Sequence, residues 1–438
     1  MNIIIAGAGR VGYNLARTLS QNHSVTVIDR NAEALGRLLE SIDILPVNGD
    51  IEDPDTYAKL IDKESDLFIA VTDNDEANLL STLIADDAID LKRRFIRLRN
   101  PQFSKTNISV RLGIDEAFYP LELTSQTVTT LLKYPGANNV KSFEYTDYKL
   151  ISVHISGDDA IEIPQGSDIV IVGIERQKSF LLPGPETRLM KNDLVYFFGN
   201  EVLIRNMCKE MENESPLHIE RCIVFGAEDL GINISRALLE HGIEVKLIEK
   251  SLERCRIADE RLEGEAMTLS CKYGTATLFE EEGLAHADMA IAATEDDEYN
   301  IVKCLEAKEH GIGKVLAINN ELEYYNVMHA LGIVVVRGPK INAFNAIVER
   351  INSSKIVTER KYCGGKAEIY LRKIFRGSHL VGSKIKPMKK PDRRVLYLIR
   401  EDSIHPFDEV MQVQENDIIA LFTTQDFASE AREWIYGL

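Results

Sequence analysis

Basic charge is scarce in this 438-residue sequence: 51 Lys and Arg stand against 69 Asp and Glu, a net charge of −18 at pH 7. Phosphate backbones are gripped through a basic footprint, so nucleic acid is excluded as a default partner. No run approaches the ~18 apolar residues of a membrane-spanning helix. The opening residues, Met1 to Ala6, read as the start of a strand and not as a signal peptide. The six cysteines (Cys208, Cys222, Cys255, Cys271, Cys304 and Cys363) are scattered, with no Cys-x-x-Cys pair. That pattern reads as reduced cytosolic thiols and excludes both a disulfide framework and a zinc ribbon. The nine histidines include no His-Glu-x-x-His. What remains is ample material for packed cores, with 45% hydrophobic residues and a length that suits roughly two to four domains.

The most informative feature present is a repeat. An apolar run, Ile3-Ile4-Ile5-Ala6, feeds the turn Gly7-Ala8-Gly9-Arg10-Val11-Gly12, and Ile223-Val224-Phe225 feeds Gly226-Ala227-Glu228-Asp229-Leu230-Gly231. Asp29, closing one strand pattern, pairs with Glu249, closing another, and Asn78 pairs with Asn300. Asn192-Asp193 pairs with Asn416-Asp417. The offset grows from 219 to 224 in one direction only, as small loop insertions would produce.

Each half divides again. Short apolar runs at Ile3–Ala6, Val25–Ile28, Leu67–Val71 and Phe95–Leu98 alternate with helical patterns, the signature of a parallel sheet with crossover helices. From about Ser142 strand texture is interrupted by Pro164, Gly166, Pro183, Gly184 and Pro185. The expected fold class is therefore α/β: two Rossmann-like parallel-sheet domains, each followed by a small α+β module. The boundaries fall at 1–135, 136–215, 216–360 and 361–438, with a polar linker near Met211–Ile219 that contains Pro216.

In the first copy, Gly7 permits the tight turn, Gly9 lets backbone approach a pyrophosphate, and Gly12 lets the helix pack on the strand. The helix from Val11 onward points its free N–H groups at phosphate. Asp29, 17 residues past Gly12, is placed to accept the ribose hydroxyls. Asp50, in Asn48-Gly49-Asp50, is placed toward the adenine edge, and Arg10 lies within the turn beside the phosphates. Arg97 and Arg99 alternate on one strand face, so Arg97 is either a phosphate contact or a surface cation. Lys92, Arg93 and Arg94 read as a solvated loop.

In the second copy Glu228 replaces the middle glycine. Its carboxylate would oppose a pyrophosphate and its side chain would block close approach, although Glu249 keeps the ribose acid. The expectation is a degenerate site, with a cation-assisted or nucleoside-only pocket as the alternatives. A dehydrogenase is the rival reading for the chain. Tyr145 and Lys149 form Tyr-x-x-x-Lys, but that chemistry needs a helix, and Ser142–Ile155 has strand texture. A nucleotide domain joined to small β-rich modules suits a sensor, in which the ligand shifts a shape equilibrium.

Taken together, Gly7 to Gly12, Asp29, Asn48-Gly49-Asp50, the run from Thr72 to Asn78, Arg97-Leu98-Arg99-Asn100-Pro101 and Pro120-Leu121-Glu122 resemble the Trk-type potassium-uptake regulatory subunits. So do Ile174-Glu175-Arg176 with Asn192-Asp193, and Ile399-Arg400 with Asn416-Asp417. These proteins are TrkA-like chains with tandem RCK (or KTN) domains, and the resemblance covers essentially the whole chain. It implies a non-enzymatic, cytoplasmic regulatory subunit, peripheral on the inner face of the membrane. It also implies a homo-oligomer, a tetramer by analogy, partnering a membrane potassium-translocating subunit of the Trk type. The regulatory ligand implied is NAD(H) or ATP/ADP, held by Gly7, Gly9, Arg10, Val11, Gly12, Asp29, Asp50, Thr72 and Arg97. Glu122 matches a glutamate near the nucleotide-domain interface, where some members bind a cation. Glu228, and Gly274-Thr275 in place of the acid at Asp50, depart from the pattern.

Overall fold

The apolar run Ile3–Ala6 becomes the centre of a sheet because crossover helices cover both of its faces, which leaves no room for polar alternation. The computed structural model describes residues 1–58, 60, 65–134, 136–143, 146–155, 168–184, 187–211, 218–271, 276–352, 357–388, 393–408 and 410–438. Tyr145, Pro164, Gly166, Pro185, Pro216 and Gly274-Thr275 lie outside the described residues.

The first sheet comprises β1 (Asn2–Ala6), β2 (Ser24–Asp29), β3 (Leu45–Asn48), β4 (Leu67–Ala70), β5 (Arg94–Arg97) and β6 (Glu116–Phe118). Its order is β3-β2-β1-β4-β5-β6, with parallel pairing throughout. A five-stranded antiparallel sheet follows, with β7 (Ala137–Phe143), β8 (Thr146–His154), β9 (Ile169–Arg176), β10 (Ser179–Leu181) and β11 (Leu194–Asn200) in the order β10-β9-β11-β8-β7. The second six-stranded sheet has β12 (Arg221–Phe225), β13 (Glu244–Glu249), β14 (Met267–Ser270), β15 (Met289–Ala292), β16 (Lys314–Asn319) and β17 (Val334–Arg337) in the order β14-β13-β12-β15-β16-β17. The last sheet has β18 (Val357–Tyr362), β19 (Ala367–Lys373), β20 (Arg394–Arg400), β21 (Ser403–Pro406) and β22 (Ile418–Thr424) in the order β18-β19-β22-β20-β21. Strand β6 carries no apolar run, only Glu-Ala-Phe, which is why periodicity does not reveal it.

One compact body holds both parallel sheets: residues 1–126, 221–324 and 336–348. In each sheet the direction of winding reverses beside the first strand, between β1 and β4 and again between β12 and β15. Ligands of such folds bind outside the strand C-termini at that switch. The helix Arg10–Leu19 buries Val11, Leu15, Ala16 and Leu19 on one face, the spacing of a stripe that seats on a sheet. Ile5, Val27 and Ile69 are fully buried beneath it, and Phe68 is buried on the opposite face beside Tyr57, each contributing about 1.5–3 kcal/mol.

The other body holds both antiparallel sheets. They share one core, in which Phe198 meets Phe422 edge-on at 5.1 Å. The Tyr148 hydroxyl donates to the Asp402 carbonyl (2.8 Å) and the Tyr362 hydroxyl to the Val172 carbonyl (2.9 Å). The repeated Asn-Asp pairs now have a physical role. Asn192 and Asn416 both sit at φ 70°, a conformation that Asn tolerates. The Asp beside each receives a two-pronged guanidinium: Arg176 on Asp193 (2.8 and 2.7 Å) and Arg400 on Asp417 (2.9 and 2.7 Å). Such forked pairs fix geometry as well as charge, and they pin the turn before the last strand of each module.

A buried carboxyl in this body sets a pH response. Glu359 on β18 is only 7% exposed, beside Glu368 and Glu349, with Arg432 Nε 3.1 Å away and Lys361 close by. Burial first, then the neighbouring carboxylates, push it up to about 7 against the pull of Arg432 and Lys361. A carboxyl raised this way stabilises the fold at low pH, and that stability is lost as pH climbs from about 4.5 to about 7. Glu359→Gln should therefore raise the melting temperature at pH 8, by about 2 kcal/mol in stability, and leave it little changed at pH 4.5. Thermal melts across that range check this.

Candidate functional site

The first turn is built from three glycines with three different needs. Gly7 sits at φ +110° and donates to the Ile28 carbonyl (2.9 Å), so it closes the turn in a conformation other residues resist. A Cβ on Gly12 would lie 1.8 Å from the Gly7 carbonyl oxygen. A Cβ on Gly9 would meet nothing within 4 Å, because it faces open space at the N-terminus of the helix Arg10–Leu19. That helix has no side-chain cap, which leaves its first N–H groups and positive dipole end for an anion.

Asp29 is fixed at the end of β2. Its Oδ2 accepts from the Ala8 N–H (2.6 Å) and its Oδ1 from the Asn31 N–H (2.8 Å). Asp50 Oδ1 accepts from the Glu52 N–H (3.0 Å). On the other side of the switch, buried Asn78 clasps two strand ends. Its Oδ1 accepts from Thr72 N–H (2.9 Å) and Thr72 Oγ1 (2.6 Å), and its Nδ2 donates to the Thr72 and Arg97 carbonyls. The clasp holds Thr72 and Arg97 at one rim. Asp75 accepts from the N–H groups of Arg99 and Asn100 (2.7 and 2.8 Å), which steers the chain after β5.

Arg97 is not the surface cation that the sequence left open. It is the last residue of β5, the fifth strand of its sheet, and is 3% exposed. Its Nη1 donates to Asp73 Oδ1 (2.9 Å) and to the Thr72 carbonyl (3.2 Å), while its buried Nε has no acceptor. Burial opposes ionisation of Asp73, but Arg97, Lys340 and Arg99 together hold its carboxyl below the usual range. Arg99 lies beyond the strand, 4.0 Å from Asp229.

A cavity of about 580 Å³ lies at this switch. Gly7, Gly9, Arg10, Val11, Asp29, Asp50, Thr72 and Arg97 line it, whereas Gly12 packs behind the turn. Asp73, Asn74 and Lys340 line it as well. Lys340 had no sequence signal, since it arrives from the second half of the chain. Arg10 does not point only at the cavity, because its Nη2 pairs with Glu321 of the second repeat (2.8 Å). Glu122 sits in the first turn of the helix Pro120–Leu132, where its Oε1 accepts from Gln126 (3.2 Å) and its Oε2 is buried without a hydrogen bond.

The second repeat keeps the architecture but lines its opening with carboxylates. Gly226 has φ +101°, and a Cβ on Gly231 would lie 1.8 Å from the Gly226 carbonyl oxygen. Asn300 clasps Thr294 and the Ile318 carbonyl as Asn78 does its partners. At the helix N-terminus, however, stand two carboxylates, Glu228 paired with Arg254 (2.7 Å) and Asp229 paired with Arg261 (2.6 Å). Glu249 is 8% exposed and already accepts from the N–H groups of Ala227, Lys250 and Ser251. The cavity here, about 550 Å³, is lined by Glu228, Asp229, Arg254 and Arg261 and shares Arg10, Asp73, Arg97 and Lys340 with the first.

Comparison with known proteins places these features in a family. The TrkA-N domain model matches residues 3–120 and 222–339, and the TrkA-C domain model matches 158–212. The Trk system potassium uptake protein TrkA homolog of Archaeoglobus fulgidus is 28% identical over 408 residues, covering 90% of this chain and 91% of that protein. The Trk system potassium uptake protein TrkA of Vibrio alginolyticus is 26% identical over 451 aligned residues, covering 98% and 97%. Among solved structures, the GsuK RCK domain superposes with a TM-score of 0.62 at 16% identity, covering all of this chain and 95% of that one. The GsuK channel bound to NAD gives 0.61 at 17%, covering 100% and 79%. GsuK bound to ADP gives 0.50 at 15%, covering 80% and 68%. At these identities the structures speak for the fold alone.

The glycine geometry separates fold from opening. Gly12→Ala should cost about 3 kcal/mol or more and lower the melting temperature by several degrees, because its Cβ would strike backbone. Gly9→Ala should melt within a degree or so of the unmodified chain. Differential scanning calorimetry of the two variants checks this.

Proposed function

Because the chain belongs to the TrkA family, with the TrkA-N domain present twice, we propose that it is the regulatory subunit of a potassium-uptake system, and that nucleotide in its first half sets the state of a membrane potassium-translocating subunit. The curated relatives are Trk potassium-uptake proteins matched over nearly their whole length. No helix among the described residues is long and apolar enough to cross a membrane, so translocation falls to a partner. We place the chain at the cytoplasmic face as a homo-oligomer, with a tetramer as the working stoichiometry and no role for nucleic acid. The division into nucleotide-binding (1–135 and 216–360) and small (136–215 and 361–438) domains belongs to this proposal.

The observation that carries the nucleotide reading is the open helix N-terminus facing an acceptor-hungry arginine. Gly9 leaves space, the helix lacks a side-chain cap, and Arg97 lines the same cavity with its Nε unpartnered among the described residues. A phosphate supplies what all three lack. Gly7 and Gly12 shape the turn, Val11 begins the exposed helix turn, and Thr72 lines the rim. Asp29 takes the ribose hydroxyls and Asp50 the adenine side. NAD(H) and ATP/ADP all present that ribose and phosphate, and NAD and ADP are the ligands of the GsuK structures named above. Turnover is not part of the reading. Lys149, half of the dehydrogenase-like pair, lies on β8 with its ammonium 3.3 Å from the Glu201 carboxylate.

Asp29→Asn keeps the shape and removes the charge. It should weaken nucleotide binding by about 1.5–3 kcal/mol, roughly ten- to a hundredfold, and blunt the nucleotide response of potassium uptake in vesicles that also contain the Trk-type membrane subunit. Uptake should depend on the chain. Flux indifferent to the chain under every nucleotide would contradict the transport role and leave a stand-alone sensor.

A further inference from the structure

We propose that Lys340, carried by the second repeat, is the distal-phosphate reader of the first repeat's nucleotide site, so that the site takes a nucleoside polyphosphate and is incomplete without the second half of the chain. The inference rests on the nucleotide reading above and adds to it the ligand class and the residue that selects it.

Three cations stand where the two cavities meet: Arg10, Arg97 and Lys340. Arg10 is tied to Glu321 at 2.8 Å and Arg97 to Asp73 at 2.9 Å. Among the described residues Lys340 makes no hydrogen bond or ion pair, and its charge is felt at Asp73 as an attraction that lowers that carboxyl. An incoming phosphate must compete for the two arginines, but Lys340 is available to it without exchange. Arg30 also lines the first cavity but sits beside Asp29, at the ribose end.

The position of Lys340 is set by structure, not by chance exposure. It is half-buried in the first turn of the helix Pro339–Asn352. Two residues on, Asn342 Nδ2 donates to Thr124 Oγ1 of the first repeat (2.9 Å) and to the Arg337 carbonyl (2.8 Å). Thr124 is fully buried in the helix Pro120–Leu132. That contact registers the second repeat's helix against the first repeat's switch point, and Lys340 lines the part of the wall shared with the second cavity, which Asp29 does not line. A ligand anchored by its ribose at Asp29, with its first phosphate at the Gly7–Gly12 turn, directs any further phosphates toward Lys340. As they arrive, the exposed Arg10–Glu321 pair, worth no more than about 1 kcal/mol, gives up its arginine at little cost.

The test is calorimetric titration of the full-length chain with AMP, ADP and ATP, comparing the unmodified protein with Lys340→Gln and Lys340→Arg. In Lys340→Gln, ATP affinity should fall about tenfold or more while AMP affinity and melting temperature stay unchanged. Lys340→Arg should restore most of the ATP affinity. Unchanged ATP affinity in Lys340→Gln, or equal losses for AMP and ATP, would overturn the inference and leave the nucleotide site standing. An unmodified chain that binds none of the three would overturn the inference, and one that binds neither these nor NADH would overturn the nucleotide reading with it.

Discussion

A helix that begins in a tight glycine turn presents several N–H groups and a partial positive charge that something must satisfy. That requirement governs both halves of this chain, and the halves meet it in opposite ways. In the second, Glu228 and Asp229 place negative charge at the helix end, paired with Arg254 and Arg261, although no side chain caps its N–H groups. In the first, Gly9 supplies nothing, and the first helical residue is itself a cation, Arg10. One helix end carries two carboxylates, and the other carries none. The glycines with structural work, Gly7 and Gly12, have unchanged counterparts in Gly226 and Gly231. Only the glycine facing open space has been replaced.

Around that difference the scaffolding is the same. Asn78 and Asn300 make equivalent clasps, Asp29 and Glu249 brace equivalent turns, and Arg176–Asp193 and Arg400–Asp417 pin equivalent corners of the small modules. Arg10–Glu321 and Asn342–Thr124 are contacts between the two repeats beside the first site.

Much of this was legible in the sequence because it depends on short-range rules. Glycine spacing, an acid at a strand end and alternating apolar runs gave the doubly wound sheets and the composition of the first turn. Strand β6 escaped because Glu-Ala-Phe makes no apolar run, and its place comes from pairing with β5. The depth of Arg97 escaped because a strand-end arginine looks the same on paper whether it faces water or a carboxylate. Here the Asn78 clasp and Asp73 decide the matter. Lys340 and Glu321 escaped entirely. They lie some three hundred residues from the site they border, and no local pattern encodes contact between two repeats.

On the proposed function, the first repeat binds nucleotide and the second, with carboxylates at its helix N-terminus, does not. Counting nucleotides per chain tests it most directly. Native mass spectrometry of the assembled protein in saturating ATP, and separately in saturating NADH, should give one nucleotide for each chain. Two per chain, with Glu228 and Glu249 intact, would contradict it.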